Sequence, residues 1–429
     1  MVGPTIELLR DPIGYHLKAY RELGPVYRTS YLGKESLCLA GMEVNEFVWR
    51  NDKLWNYGAM RTAFAHEFGD DYLTQLDGQP HKKKRMRLNP SFRPDFLMGG
   101  SGKMIATAKE NLAQVAGKSI DLRQFCYRLL LRMTTKGMLD LDLPEETEKA
   151  ILQVEKDLLL ARRFGPAWKM WFKRPVYLRA KEKVMAFLGE LVDRWTGDPT
   201  NAPKMFTLTL RTAEGDVPPT RDELMGDIYL LITGGLNSNA NLILWSLMYV
   251  FHRPDWLAQL QEEVAAVPPE QFSAMKQWPK IKASILEVER LRPGTVFNVL
   301  VPAADFEFQG IAFKKGRPIT HFTILPHFLP EVYDDPESFL PERFLGDKVY
   351  PGKAHATFGG GSHMCIGMPL ARLQSPLILA SVLQDYEIAF EGKPSFRGRL
   401  AAALTPSDKS LPVTIKRRAG AATRGESHS

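Results

Sequence analysis

Apolar and polar positions along this chain switch between a period near two and a period near 3.6. Close to the N-terminus, Val26-Tyr27-Arg28-Thr29 and Ser36-Leu37-Cys38-Leu39 read as strands, and Gly33 between them predicts a hairpin. From about residue 80 to 290 the spacing is mostly helical, with charged and apolar residues recurring at helical intervals over 148–162 and 179–193. The clearest helix starts at Thr220. Pro218 and Pro219 precede it, Thr220 and Glu223 have capping-box spacing, the apolar pattern runs through Val250, and Pro254 closes it. A single helix of that length, roughly 45 Å at 1.5 Å per residue, and of that apolarity must run through the core. From Val296 to Pro326 the pattern returns to short strands and turns, including Phe306-Glu307-Phe308 and Ile311-Ala312-Phe313. Residues 419–429 are small and polar and are expected to be disordered.

One segment fits neither period. Residues 162–177 mix aromatics with bases and are broken by Gly165, Pro166 and Pro175. Such a stretch reads as a mobile lid over an apolar pocket, as a patch resting on a membrane surface, or as an ordinary packed loop.

Composition narrows the class. The 429 residues are 44% hydrophobic and 24% charged, which supports a large buried core. No apolar run approaches the ~18 residues a membrane span needs, and the first ten residues lack the layout of a secretory signal. A protein without an integral membrane segment, located in the cytoplasm, is the expectation. Three cysteines, Cys38, Cys126 and Cys365, argue against a disulfide framework and leave a thiol for chemistry. The net charge of +7 suits an acidic partner or a solvated basic surface, and no nucleic-acid motif accompanies it.

The chemistry concentrates in Phe358-Gly359-Gly360-Gly361-Ser362-His363-Met364-Cys365-Ile366-Gly367-Met368-Pro369. The glycines allow a sharp turn and close approach to another group. A helix-forming run, residues 370–383, follows with Pro376 inside it. The order places Cys365 near a helix N-terminus, where free N–H groups stabilise a thiolate. Gly367 leaves room for something flat beyond the sulfur. A thiolate so held suits an iron that cleaves an O–O bond.

That string resembles the heme-binding loop of the cytochrome P450 family at Phe358, Gly361, His363, Cys365 and Gly367. Three more segments match in order. Glu287 and Arg290 lie three apart on one helical face ended by Pro293. Pro341-Glu342-Arg343-Phe344 follows Asp335-Pro336-Glu337, and His81 and Arg85 lie four apart ahead of Asn89-Pro90. The resemblance implies a mainly α fold with a smaller β-rich region, a single catalytic domain over 1–418, and heme b with Cys365 as the iron ligand. It implies a structural charge cluster of Glu287, Arg290 and Arg343 holding the cysteine loop. It also implies that His81, Arg85 and His363 donate to the heme propionates. The Lys82–Arg87 run is a solvated face, a docking site for an acidic redox partner, or both.

The chain departs from the family in the long helix, which reads Thr233-Gly234-Gly235-Leu236-Asn237-Ser238-Asn239-Ala240-Asn241. Asn237 stands where relatives carry an acid, and Ser238 where they carry threonine. Asn237 exchanges no proton at neutral pH, whereas Ser238 keeps a hydroxyl that positions water. Gly234 and Gly235 cost about 1 kcal/mol each relative to Ala; they serve helix packing or leave room over the heme. Residues 296–304 also lack the arginine that many relatives use for a propionate.

The expected activity is insertion of one oxygen atom from O2 into an apolar small molecule. Terpenoid, steroid, fatty acyl and other natural-product skeletons, as in secondary metabolism, all remain open. Electrons come from a separate ferredoxin or flavodoxin-type partner with its reductase, and the enzyme is expected to be a monomer. A heme-thiolate isomerase or peroxide-driven enzyme, and a non-catalytic heme sensor, stand as alternatives. Residues 56–68, 164–172, 230–236 and 295–299 are the candidate pocket walls.

Overall fold

The computed structural model describes residues 7–8, 11–31, 34–59, 63–161, 168–210, 217–273, 277–400, 404–408 and 410–419. Helices dominate between residues 78 and 291, and strands gather at both ends of the chain.

The N-terminal hairpin forms as the alternation requires, with Val26–Tyr31 antiparallel to Lys34–Ala40 and Val26 opposite Leu39; its Gly33 turn lies outside the described residues. A distant segment completes this sheet. Ile319–Phe322 pairs parallel to Lys34–Ala40, and Asn298–Leu300 adds antiparallel on its far side. A second sheet joins Ser119–Asp121, Pro412–Arg417 and Tyr386–Phe390, so the C-terminal strand closes against the helical region. Phe306–Phe308 and Ile311–Phe313 form the hairpin expected of them. Its two turn residues, Gln309 and Gly310, both take positive φ, 52° and 75°, which matches the twist of the strands.

The long helix of the sequence pattern is two consecutive helices, Arg221–Thr233 and Leu236–Phe251. Its start is capped as the spacing predicts. Glu223 N donates to Thr220 Oγ1 at 3.2 Å, and Thr220 N donates to Glu223 Oε2 at 2.7 Å. The last bond of the first ladder runs from Gly234 N to Leu230 O, and the first of the second from Asn239 N to Gly235 O. The opening falls on the two glycines, whose lack of a side chain gives the ladder least reason to continue there.

The second half, Leu236–Phe251, is buried almost along its whole length and packs against Leu122–Leu139, Met368–Asp385 and Pro279–Leu291. A buried polar chain fixes three of these helices. Asn239 Nδ2 donates to Gln374 Oε1 at 3.3 Å, Gln374 Nε2 to Thr134 Oγ1 at 2.9 Å, and Ser375 Oγ to Asn239 Oδ1 at 2.7 Å. Fully paired groups in a low-dielectric core set one register. Met368–Asp385 runs through Pro376 as one helix, and the cysteine loop leads into its N-terminus. Among the described residues no helix is long and apolar enough to cross a membrane.

Candidate active site

Cys365 lies just before the Met368–Asp385 helix, as its position in the sequence predicts. Its backbone N donates to Phe358 O at 2.9 Å, which closes the loop. The backbone amides of Gly367 and Met368 and the Arg85 guanidinium lie close enough to favour its thiolate. Burial nonetheless pushes the thiol pKa up, although those amides and Arg85 oppose the shift. The residue is also exposed. A group that is both deep and open lines an internal chamber.

The glycines of the loop have separate reasons. Gly359 and Gly361 take positive φ, 69° and 66°. A side chain on Gly360 would strike the Trp49 ring, and one on Gly361 would lie 2.8 Å from Trp49 O. The close approach expected of this triplet is therefore to Trp49 and Asp52. Gly367 differs: an added Cβ would meet only Cys365 Sγ, at an ordinary 3.8 Å. Among the described residues nothing demands glycine there, so the demand fits a flat group lying over the sulfur.

Gly234 and Gly235 are exposed although Thr233 and Leu236 beside them are buried. Ser238 Cβ abuts Gly294, where an added Cβ would lie 2.6 Å away, so the helix opening meets the segment that leads to Phe297 and Val299. Those two side chains are 38% and 39% exposed, whereas Val296 is buried. Arg85 reaches in from Gly78–Leu88, close enough to act on the Cys365 charge. A thiol and a cation thus act on one another, and the two bare glycines adjoin the segment that carries the exposed apolar side chains. That set fits an iron porphyrin: sulfur for the metal, cations and N–H groups for carboxylates, and apolar walls for the ring. Among the described residues no cluster of His, Cys, Asp and Glu would hold a bare metal ion.

At one edge the sequence reading is extended by rings. His81 stacks on His363 at 3.9 Å, and Tyr57 stacks on the other face of His363 at 3.7 Å. Asp77 holds this arrangement: its carboxylate accepts from Tyr57 N at 3.1 Å and Gly58 N at 2.9 Å, and lies 3.9 Å from His363 Nε2. Burial, with His81 adding to it, depresses the His363 pKa to about 4, and burial lowers that of His81 too. Both shifts favour the neutral imidazole, which keeps one N–H on each ring to donate. Asp77 escaped the sequence reading because it sits in no repeated spacing, and Tyr57 entered it only within the 56–68 pocket wall.

The loop is anchored from behind. Arg290 pairs bidentately with Glu287, Nε to Oε2 and Nη2 to Oε1, both at 2.8 Å, and neither residue is exposed. Arg343 Nε reaches Glu287 Oε1 at 3.1 Å, and Arg290 Nη1 donates to His327 O at 2.7 Å and Pro336 O at 2.6 Å. The pair is bonded on every side, as a buried ion pair requires. Three groups then tie this cluster to the loop. Thr357 Oγ1 donates to Glu289 O at 2.7 Å, His355 Nε2 to Leu286 O at 3.1 Å, and Arg372 Nη2 to Glu289 Oε2 at 2.9 Å. Arg372 also lies over the Phe358 ring, 5.1 Å from its centroid.

The polar pair of the opened helix divides. Ser238 faces Gly294 and has no side-chain hydrogen bond among the described residues. Asn237 Oδ1 accepts from the Tyr127 hydroxyl and from Asn241 Nδ2. Of the candidate walls, Phe68 stacks on Tyr229 at 4.0 Å and Phe172 is buried against Tyr177; residues 60–62 and 164–167 lie outside the described residues.

Residues 2–411 match the family described as Cytochrome P450. The chain belongs to the cytochrome P450 family. It is 24% identical to a sterol 14alpha-demethylase of Mycolicibacterium vanbaalenii, over 97% of this chain and 96% of that protein. The solved structure of retinoic acid bound cyanobacterial CYP120A1 matches its fold with a TM-score of 0.80 over 96% of each chain, at 22% identity. Members of this P450 family are heme b monooxygenases, and so is this enzyme.

Proposed function

We propose that Cys365 would supply the thiolate that holds the heme iron, and that the enzyme inserts one oxygen atom of O2 into an apolar substrate lying between Gly234–Gly235 and Phe297–Val299. The observation that carries this reading is the Cys365 sulfur under the Gly367 and Met368 amides, opening onto the chamber. When bound, the heme supplies oxygen activation, which the thiolate ligand favours. The protein's own part is placement. His81, His363 and Arg85 hold the propionates, and the Glu287–Arg290–Arg343 cluster fixes the loop behind the sulfur. Ser238, with a hydroxyl free to hold water at the helix opening, positions the proton source.

Electrons come from a separate acidic redox protein. The helix that carries His81 and Arg85 inward presents Lys82, Lys83 and Met86 outward, a basic face with an apolar member directly behind the propionate edge. The substrate is a terpenoid, steroid or fatty acyl skeleton, to which exposed Phe297 and Val299 offer apolar contact.

The test is turnover under labelled dioxygen with NADPH, a ferredoxin and its reductase. One labelled oxygen in the product, with an absolute need for reductant, supports the proposal. Rearrangement of an organic hydroperoxide without reductant, and no labelled product, overturns it in favour of an isomerase.

A further inference from the structure

The basic run over residues 82–87 has two members that the propionate and surface readings leave unused, Lys84 and Arg87. Both end on one carboxylate. Lys84 Nζ lies 2.9 Å from Asp227 Oδ1, and Arg87 Nη2 donates to Asp227 Oδ2. Asp227 is 1% exposed and Lys84 8%. Lys84 Nζ also donates to Asp71 O, so its ammonium is held by a charge and a carbonyl together. Burial raises the Asp227 pKa, and the two cations oppose that shift. A carboxylate this deep keeps its charge only beside such partners.

Helical spacing divides Gly78–Leu88 into three faces. At about 100° per residue, and with His81 as origin, Arg85 falls at about 40°, Lys84 and Arg87 at about 300° and 240°, and Lys82, Met86 and Lys83 between about 100° and 200°. Burial follows the same division. His81 and Lys84 are buried, Arg85 and Arg87 half-buried, and Lys82, Lys83 and Met86 exposed. Asp227 engages one of these faces only. On its own helix, Arg221–Thr233, it precedes the Gly234 opening by two turns along one face, about 10 Å.

We infer that Asp227 is a positioning residue: by holding Lys84 and Arg87 it sets the rotation of the Gly78–Leu88 helix about its own axis, and so turns His81 and Arg85 toward the heme edge. This rests on the propionate reading of those two residues. The helix has little else to choose its rotation. Its buried side chains are His81, Lys84 and Leu88, so it carries one apolar anchor and no apolar stripe. Cations lie all round it, and a turn of about 100° either way would bring Lys82 and Met86, or Lys84 and Arg87, to the face that His81 and Arg85 occupy. A buried acid on the neighbouring helix removes that degeneracy. It also leaves Lys82 and Lys83 as the lysines of this helix that face solvent. Asp227 acts only through the helix it holds.

The measurement is the rate of heme transfer from the ferric holoenzyme to excess apomyoglobin. Asp227→Asn, which removes the charge and keeps the shape, speeds transfer about tenfold or more, as loss of a group that orients a ligand-holding residue does. Lys84→Met and Arg87→Met each leave one ion pair and speed it less; they carry the test if Asp227→Asn fails to fold. In a background of His81→Ala with Arg85→Ala, the same three changes speed transfer by less than about twofold, because the contacts they aim are already gone. Equal acceleration in both backgrounds is what loosened packing alone would give, and it overturns the inference. An unchanged rate in all three variants overturns it too. If His81→Ala with Arg85→Ala by itself releases heme no faster than the wild type, the propionate reading beneath the inference fails instead.

Discussion

The Ala356 amide donates to His327 Nε2 at 2.8 Å. That nitrogen is thereby an acceptor, so His327 Nδ1 carries the proton and gives it to Arg290 O, also at 2.8 Å. One buried imidazole in one tautomer thus joins the Glu287–Arg290 cluster to the strand of chain that becomes the cysteine loop. Burial holds its pKa well below the ordinary histidine value, which keeps the accepting nitrogen bare.

Replacing His327 with Phe leaves a buried donor and a buried acceptor unpaired. At about 1–3 kcal/mol for each, the expected loss is about 2–6 kcal/mol in urea unfolding of the apoprotein. The purified variant is expected to carry a lower ratio of heme to protein. Wild-type stability and heme content would show that the imidazole link does not hold the loop.

Glu287→Ala strips the carboxylate from Arg290 and Arg343 together. Removing one partner of a buried pair costs about 3–5 kcal/mol, and here two guanidiniums lose it. Most of the variant is expected in the insoluble fraction, and its soluble part without heme. Glu342→Ala is the control. Glu342 pairs with Arg253 at the surface, so about 0–1 kcal/mol is expected there.

Gly360→Ala and Gly367→Ala separate glycines that the sequence groups together. The first drives a methyl into Trp49 and is expected to cost about 1–3 kcal/mol in the apoprotein. Trp49→Leu should recover part of that loss in a double-mutant cycle. The second meets only the sulfur at van der Waals distance, so apoprotein stability stays within about 0.5 kcal/mol while heme affinity falls. Equal behaviour of the two variants in both assays would contradict this division.

His16 gives the fold a pH dependence far from the heme chamber. Its Nδ1 meets the Tyr27 hydroxyl at 2.6 Å, it stacks on Phe322 at 4.0 Å, and burial lowers its pKa to about 4. The unfolded chain binds a proton near pH 6.5 that the folded chain refuses until about pH 4. Stability is therefore full above about 6.5 and falls as pH drops through that window, with a slope near 1.4 kcal/mol per pH unit for this group. His16→Gln should flatten the urea-unfolding free energy against pH by about one proton between pH 6 and 4.5. An unchanged slope would show that His16 is protonated in the folded state.

Much of the site was legible because its parts are local in sequence. The cysteine loop, the Glu287/Arg290 spacing and the His81/Arg85 spacing each fit within a turn or two of backbone. What spacing does not encode is the far partner. Trp49, which dictates Gly360, lies more than 300 residues before it. Asp77 and Tyr57 support His363 from another part of the chain, and His327 is a lone histidine between two motifs. The missing arginine of residues 296–304 drew attention to the propionate edge, but not to the ring stack found there. The helix break at Gly234–Gly235 was also under-read, because an uninterrupted apolar pattern hides a gap in the hydrogen-bond ladder. The pairing of Lys34–Ala40 with Ile319–Phe322 is parallel and joins segments far apart in the chain, which strand alternation alone does not specify.

The account depends on sulfur from Cys365 reaching iron. Iron K-edge X-ray absorption on the purified holoenzyme and on Cys365→Ser measures this directly. One sulfur neighbour in the wild-type iron shell, replaced by a lighter atom in the variant, is the predicted result. A wild-type shell of nitrogen and oxygen alone, or a sulfur neighbour that survives in Cys365→Ser, would contradict it.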